Sequence, residues 1–448
     1  MTSTGQCGVQ VFNVTASVPR RAWDATLSLD ALALERLPVI VTGLPVVQLW
    51  PALTAWSDLC ARAPQLGRVF GGTSRIFYHD NREKPFATTQ PPRRESLNLS
   101  CAEFMRAIDP SETPAPAPAP ARHLYLASRL PGEGDDDLSR LLADLPRLGQ
   151  LTVGEASVEP VSVNLWAGRD VVAEMHYDAH HNVFAQCRGS KRFVLAPPAA
   201  ALPLRLYPEA HPQNRHTQLH IDASGAAEEG ETLEGGPLAA SEAVLQPGEV
   251  LYLPPYVFHR VGGGEQLSLS VNVFSESVEH LAAGRMAAVG LPPSVQPAAG
   301  LAAAIRTRLL ACWLRHLIFA AVAPEGWAVG GPAEAATVAA AFLSPQVASR
   351  FGRLHAAVGC GGWRADGCPA HGSLPPALLA EAREHSARAV APLQSVRNLA
   401  QGGREGVREL VLISHLELVV RSYLGAQHLC PFLRCLAQET SWVWEETG

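Results

Sequence analysis

The residues of this chain best suited to chemistry are His176, Asp178 and His259. The first two lie two apart in Met175-His176-Tyr177-Asp178. On a β-strand such residues project to one side, so an imidazole and a carboxylate point together while Tyr177 faces away. Two histidines and one carboxylate on one face of an octahedron suit a non-haem iron(II) ion and leave positions open for other ligands. The third donor must come from a distant strand. His259 suits that place, because Leu251 to Leu253 reads as a strand, Pro254-Pro255 as a turn, and aromatic residues lead into the histidine. A bare His-x-Asp pair is common in ordinary polar turns, so the surrounding elements decide whether this one is a site.

From Leu151 to about Phe274, short apolar runs recur between turn signals: Pro160 to Trp166, Asn182 to Gln186, Arg192 to Leu195, Val250 to Leu253 and Leu267 to Phe274. That spacing predicts a sandwich or barrel. Ala223 to Ala243, rich in Gly, Ala and Glu, reads as a loop insertion. Upstream, Arg36 to Gly43 reads as a short buried strand ended by glycine. Leu49 to Trp56 reads as a turn into a helix, Arg75 to Tyr78 as a strand and Cys101 to Ile108 as a helix. Thr113 to Ala121 alternates Ala and Pro, an extended loop with no capacity to form a core. After about Glu279, apolar residues take helical spacing over Leu301–Ala323, Pro332–Phe342, Pro375–Ala400 and Val407–Ala437. The expected division is an N-terminal α/β flank over 1–120, a β core over 121–280 and a helical region over 281–448.

With 47% hydrophobic and 17% charged residues among 448, the balance is that of a globular protein. A net charge of −6 offers no broad basic field, so a nucleic-acid partner is not expected. Arg306, Arg308, Arg315 and His316 interrupt the most apolar stretch, Leu301 to Val322, which argues for a packed helix and against a membrane span. Met1 to Val11 lacks a signal-peptide pattern. Nine cysteines without framework spacing point to reduced thiols and a cytoplasmic or nuclear location. Cys360, Cys368 and His371 with His428, Cys430 and Cys435 miss the usual CxxC zinc spacing, so buried thiols and loop histidines are expected there. His180 and His181 are expected to flank the site or face the surface rather than bind a further ion. Only Lys84 and Lys191 are lysines, in a chain whose default cation is arginine. A lysine is a compact point charge suited to one buried anionic group.

Residues His176 to Pro198 read HYDAHHNVFAQCRGSKRFVLAPP. Downstream come Gln246-Pro247-Gly248-Glu249-Val250-Leu251-Tyr252-Leu253-Pro254, then His259, then Ser268-Leu269-Ser270-Val271-Asn272. Together these resemble the JmjC or cupin-like family of 2-oxoglutarate oxygenases, especially the branch of the asparaginyl hydroxylase factor inhibiting hypoxia-inducible factor. The resemblance is dense over about 120–275 and weaker over 30–110, where Pro38 to Leu44 and Trp50 to Trp56 carry it. It implies a double-stranded β-helix of cupin or jelly-roll type. It implies iron(II) held by His176, Asp178 and His259, with 2-oxoglutarate and dioxygen as cosubstrates. Lys191 and Tyr125 match residues that hold the distal carboxylate of 2-oxoglutarate, and Asn182 and Asn272 match asparagines lining the iron-bound end of that pocket. Tyr207 and Arg215 fall in a region resembling a loop near the substrate channel, where ordinary loop packing is an equal expectation. Ala173 departs from close relatives, which carry a threonine whose hydroxyl contributes to cosubstrate binding. The activity implied is hydroxylation of a protein side chain with release of succinate and carbon dioxide. N-methyl-lysine demethylation, an RNA-directed hydroxylase and a non-catalytic scaffold are the alternatives. A protein or peptide substrate and a homodimer through the C-terminal helices are the partners implied.

Overall fold

The computed structural model describes residues 10–24, 26–72, 75–77, 95–108, 123–131, 137–154, 159–222, 224–227, 233, 235–323, 332–352, 354, 374–398 and 406–438. Lys84, Tyr78, the Ala/Pro segment Thr113 to Ala121, and Cys360, Cys368 and His371 lie outside the described residues. The chain divides into two compact units. The first comprises Met1–Asn81, Gln90–Pro198 and Leu219–Ser277, and the second Arg82–Thr89, Ala199–Gln218 and Val278–Gly448.

The described strands of the first unit are β1 (Phe12–Ser17), β2 (Arg20–Ala22), β3 (Val39–Thr42), β4 (Gln65–Gly72), β5 (Ile76–Phe77), β6 (Glu95–Ser100), β7 (His123–Leu130), β8 (Ser162–Gly168), β9 (Val172–His176), β10 (His181–Arg188), β11 (Lys191–Ala196), β12 (Leu238–Leu245), β13 (Val250–Leu253), β14 (Phe258–Gly263) and β15 (Ser268–Ser275). They form two sheets, one ordered β1-β12-β11-β14-β9-β5 and the other β2-β3-β13-β10-β15-β8-β7-β4-β6. The expected sandwich of short strands is present.

Alternation along the central strands explains the layering. Val183, Ala185 and Cys187 of β10, with Val163, Leu165 and Ala167 of β8 and Leu269, Val271 and Val273 of β15, pack into a core with Trp56, Leu59 and Phe104 of the N-terminal helices and Trp50 of a link between two of them. Phe184 of β10 turns the other way and joins Phe193 and Leu195 of β11 and Leu251 of β13 in the core between the sheets. Period two thus assigns one face of the nine-stranded sheet to the helices and the other to the sandwich interior.

Three features differ from the sequence reading. Residues 238–243, read as loop, begin strand β12, whose outer neighbour is the parallel strand β1. Its small residues offer no apolar run, and pairing on both sides sets its conformation instead. Cys60 and Cys101 form a disulfide, where reduced thiols were expected. Their 41-residue separation hides the pairing in sequence, yet folding brings their Cα atoms to 5.2 Å, within bridging range. Cys430 and Cys435 are also disulfide-bonded, which removes them as thiolate ligands for zinc.

Among the described residues of the second unit, the α-helices are Ala201–Leu204, Val278–Val289, Ala303–Val322, Pro332–Phe351, Pro376–Val390, Leu393–Asn398, Val407–Leu424 and Leu429–Gln438. Two segments expected as continuous helices are each split, one at Ala391-Pro392 and one at Gly425, whose φ of +88° a helix cannot accommodate. None of the described helices is long and apolar enough to cross a membrane.

Candidate metal centre and its anion pocket

His176 ends β9 and lies directly opposite His259 on β14. Their rings stand 4.2 Å apart between centroids. His259 Nε2 lies 3.4 Å from Asp178 Oδ2, and one ligand atom from each of the three residues falls within 4.8 Å of the others. Nδ1 of His176 meets the Glu174 carbonyl at 2.6 Å, and Nδ1 of His259 meets that of Val257 at 3.0 Å. A carbonyl only accepts, so each Nδ1 is the donor there, and in the neutral form of each ring Nε2 is the lone-pair atom available to a metal. Two neutral imidazoles and a carboxylate fit an iron(II) ion.

Simple alternation along a strand does not produce this convergence. Between Ala173 and His176 the register slips by one residue against β14, a bulge that re-aims the strand end. Asp178 lies beyond the strand rather than on it. Its backbone carbonyl accepts from Tyr256 N–H at 2.7 Å. Tyr177 turns away, as its position predicts, and stacks on Tyr256 at 5.0 Å and edge-on to Phe258 at 5.4 Å. Tyr256 holds a φ of +64°, a strained setting that these contacts over-determine. Behind the histidines, buried Glu174 and Arg260 face each other at 3.5 Å, and Arg260 also donates to the Asp222 carbonyl at 2.6 Å. Burial lowers the Arg260 pKa, and the Glu174 charge opposes that shift.

Lys191 begins β11, four residues before Leu195, which pairs with His259, and is only 3% exposed. Its Nζ donates to Ser270 Oγ on β15 at 2.6 Å, a bond that crosses from one sheet to the other. The ammonium sits over the rings of Phe184 at 5.1 Å and Tyr125 at 5.9 Å. Burial pulls its pKa down to about 7. The neighbouring Cys187 thiol is pushed up to about 12 by burial and is neutral, so it supplies no counter-charge. A buried amine in aromatic walls, with no carboxylate beside it among the described residues, suits an anionic ligand.

Asn182 and Asn272 meet through Asn272 Nδ2 and Asn182 Oδ1 at 3.0 Å, on adjacent strands. All the residues singled out in sequence for metal and cosubstrate thus belong to the first unit. Tyr207 and Arg215 belong to the second, where the Tyr207 ring stacks on His211 at 4.2 Å. His181 is buried, with Nδ1 2.9 Å from Tyr252 Oη, and is not one of the three candidate metal ligands.

The cupin-like domain family matches residues 25–279, more than half of the chain. This chain belongs to that family. Among curated relatives, Jumonji C domain-containing protein 5 of Drosophila melanogaster is 31% identical over 240 residues, covering 52% of this chain and 53% of the relative. Lysine-specific demethylase JMJ30 of Arabidopsis thaliana is 26% identical over 242 residues, covering 53% and 48%. The tRNA wybutosine-synthesizing protein 4 of Gibberella zeae is 26% identical over 284 residues, covering 59% of this chain and 24% of the relative. The chain therefore spans about a quarter to a half of these relatives' lengths. They support the JmjC cupin-like family as a whole. The narrower likeness to the asparaginyl hydroxylase branch rests on the sequence motifs alone.

Within this cupin-like domain, the sequence reading missed Ser270, Trp166 and Asn164. Their signal is period two. Ser268, Ser270 and Asn272 alternate with Leu269, Val271 and Val273, while Ser162, Asn164 and Trp166 alternate with Val163, Leu165 and Ala167. On strands whose other face is apolar, such residues mark a polar interior.

Proposed function

We propose that this chain is an iron(II)- and 2-oxoglutarate-dependent oxygenase that hydroxylates a protein side chain. The observation that carries this reading is one interior holding both a His-Asp-His donor set and a buried lysine for an anion. His176, Asp178 and His259 would hold iron(II). Lys191 and Tyr125, with Ser270 beside the lysine, would take the distal carboxylate, while Asn182 and Asn272 line the other end. The chemistry that iron(II) and 2-oxoglutarate would supply there is the activation of dioxygen, with the cosubstrate released as succinate and carbon dioxide. The chain's own residues orient the dicarboxylate and neutralise its buried charge. The apolar walls around Phe184 and Tyr125 exclude water from its distal end. Ser270 presents a hydroxyl next to Lys191, in a chain that carries Ala173 where the resemblance to the asparaginyl hydroxylase branch implies a threonine hydroxyl.

Purified protein with iron(II), ascorbate and carboxyl-labelled 2-oxoglutarate should release labelled carbon dioxide, and His176→Ala should abolish both release and metal binding. Absence of iron binding and of turnover by the wild-type protein would sink the reading. The relatives named as lysine-specific demethylases favour N-methyl-lysine demethylation as a second reading. Formaldehyde from methylated peptides would select it, whereas a product one oxygen atom heavier without formaldehyde selects hydroxylation.

A further inference from the structure

Beside the donor set, the sandwich interior carries a chain of amides across three adjacent strands, β8, β15 and β10. Trp166 Nε1–H donates to Asn272 Oδ1 at 2.7 Å. Asn164 Nδ2 donates to the same oxygen at 3.2 Å and to Ser162 Oγ at 3.3 Å. Asn272 Nδ2 in turn donates to Asn182 Oδ1 at 3.0 Å. The first member sets the direction of this chain. An indole N–H can only donate, so the Asn272 atom facing it must be the oxygen. Turning the Asn272 amide over would set its NH2 against two donors. With Asn272 held, its NH2 faces Asn182, which must answer with its oxygen and turn its own NH2 elsewhere. Asn272 is 1% exposed and Asn182 5%, so bulk water is not at hand to re-pair a flipped amide. Without an obligatory donor at its end, a pair of asparagines can reverse together and keep the bond between them.

We propose that Trp166 is a positioning residue: its indole N–H sets the amide orientation of Asn272 and, through it, of Asn182, so that Asn182 offers N–H donors to a 2-oxo acid. This rests on the reading of the interior as a 2-oxoglutarate pocket. The orientation matters because the ligand is anionic. A reversed Asn182 would present a carbonyl oxygen to it. Trp166 also stacks on Tyr125, with centroids 5.8 Å apart, so Trp166→Phe removes the donor and keeps an aromatic ring against Tyr125.

The test is calorimetric binding of 2-oxoglutarate to the full chain loaded with zinc(II), which supports no turnover, alongside zinc(II) affinity. W166F should raise the Kd for 2-oxoglutarate about tenfold, the worth of one oriented hydrogen bond, and leave zinc(II) affinity unchanged. N182A should weaken binding similarly. The double variant W166F/N182A should bind no more weakly than N182A, because Trp166 acts through Asn182. A W166F Kd within about twofold of wild type, or losses that multiply in the double variant, overturns the proposal. If W166F does not fold, 3-benzothienylalanine incorporated at position 166, which exchanges the indole N–H for sulfur and keeps the ring size, makes the same test, and its loss must likewise not multiply with that of N182A. Wild-type protein that binds zinc(II) but no 2-oxoglutarate overturns the pocket reading and the proposal with it. Wild-type binding with an unaffected W166F overturns the proposal alone.

Discussion

Lys191 is where charge and burial conflict most directly. Its pKa of about 7 in the interior stands well below the value of 10.5 for a solvated lysine. Between those values the unfolded chain binds the proton and the folded chain does not. Stability therefore rises with pH from about 7 to 10.5, and the penalty is fully present below 7. A bound dicarboxylate reverses the balance by favouring the ammonium. Binding of 2-oxoglutarate at pH 8 should take up most of one proton, and affinity should fall as pH rises above 7. Calorimetry in two buffers of different ionisation enthalpy measures the uptake, and Lys191→Met should abolish it and weaken binding. Equal apparent enthalpies in the two buffers would refute the assignment. Lys191 was legible in sequence because lysine is scarce in this chain and the motif placed it. Its bond to Ser270 was not, since 79 residues separate the two and only the facing of the sheets joins them.

At the scale of elements, the turn between β10 and β11 places Lys191. Gly189 there has a φ of +63°, and a Cβ at this position would meet the Leu267 carbonyl oxygen at 2.4 Å. A backbone atom cannot step aside as a flexible side chain can. Gly189→Ala should therefore destabilise the protein by about 2 kcal/mol or more through strain in the turn, read as a lower midpoint in urea unfolding. It should also weaken 2-oxoglutarate binding, because Lys191 follows two residues later. An unchanged midpoint would mean that the turn relaxes freely. The existence of β8, β10, β11, β13 and β15 was readable from short apolar runs. The bulge in β9 was not, because no residue of Ala173-Glu174-Met175-His176 signals it locally; pairing with β14 decides the register. Strand β12 was hidden for a similar reason, since Leu238 to Ala240 pair with β1 alone and β11 joins the strand only from Ser241 onward.

At the scale of the whole molecule, each unit has a polar lock of its own. In the second unit, Arg350 and Glu417 form a fully buried pair with contacts of 2.6 and 2.9 Å. Glu417 also accepts from the Glu209 backbone N–H, and Arg350 lies 3.4 Å from the Tyr207 carbonyl. The pair ties the segment Ala199–Gln218 to two helices of that unit. Replacing one partner leaves the other charge buried alone. Glu417→Leu should cost roughly 3–5 kcal/mol, measured by chemical denaturation, whereas Arg350→Met together with Glu417→Leu should recover much of that loss. A double variant as unstable as the single one would show that the pair contributes more than the relief of burial.

The sequence alone determined the residue types of the donor set, the family motifs, the short-strand core and the helical C-terminal region, because period and spacing are local properties of the chain. Tertiary structure alone decided how His176, Asp178 and His259 converge. A bulge aims one histidine, an aromatic stack and a backbone hydrogen bond hold the aspartate past its strand, and a neighbouring strand brings the third donor. It alone decided which polar residues face one another across the interior, Ser270 with Lys191 and Trp166 with Asn272. Those contacts depend on sheet order and register, which follow from the packing of the whole unit rather than from any short stretch of sequence.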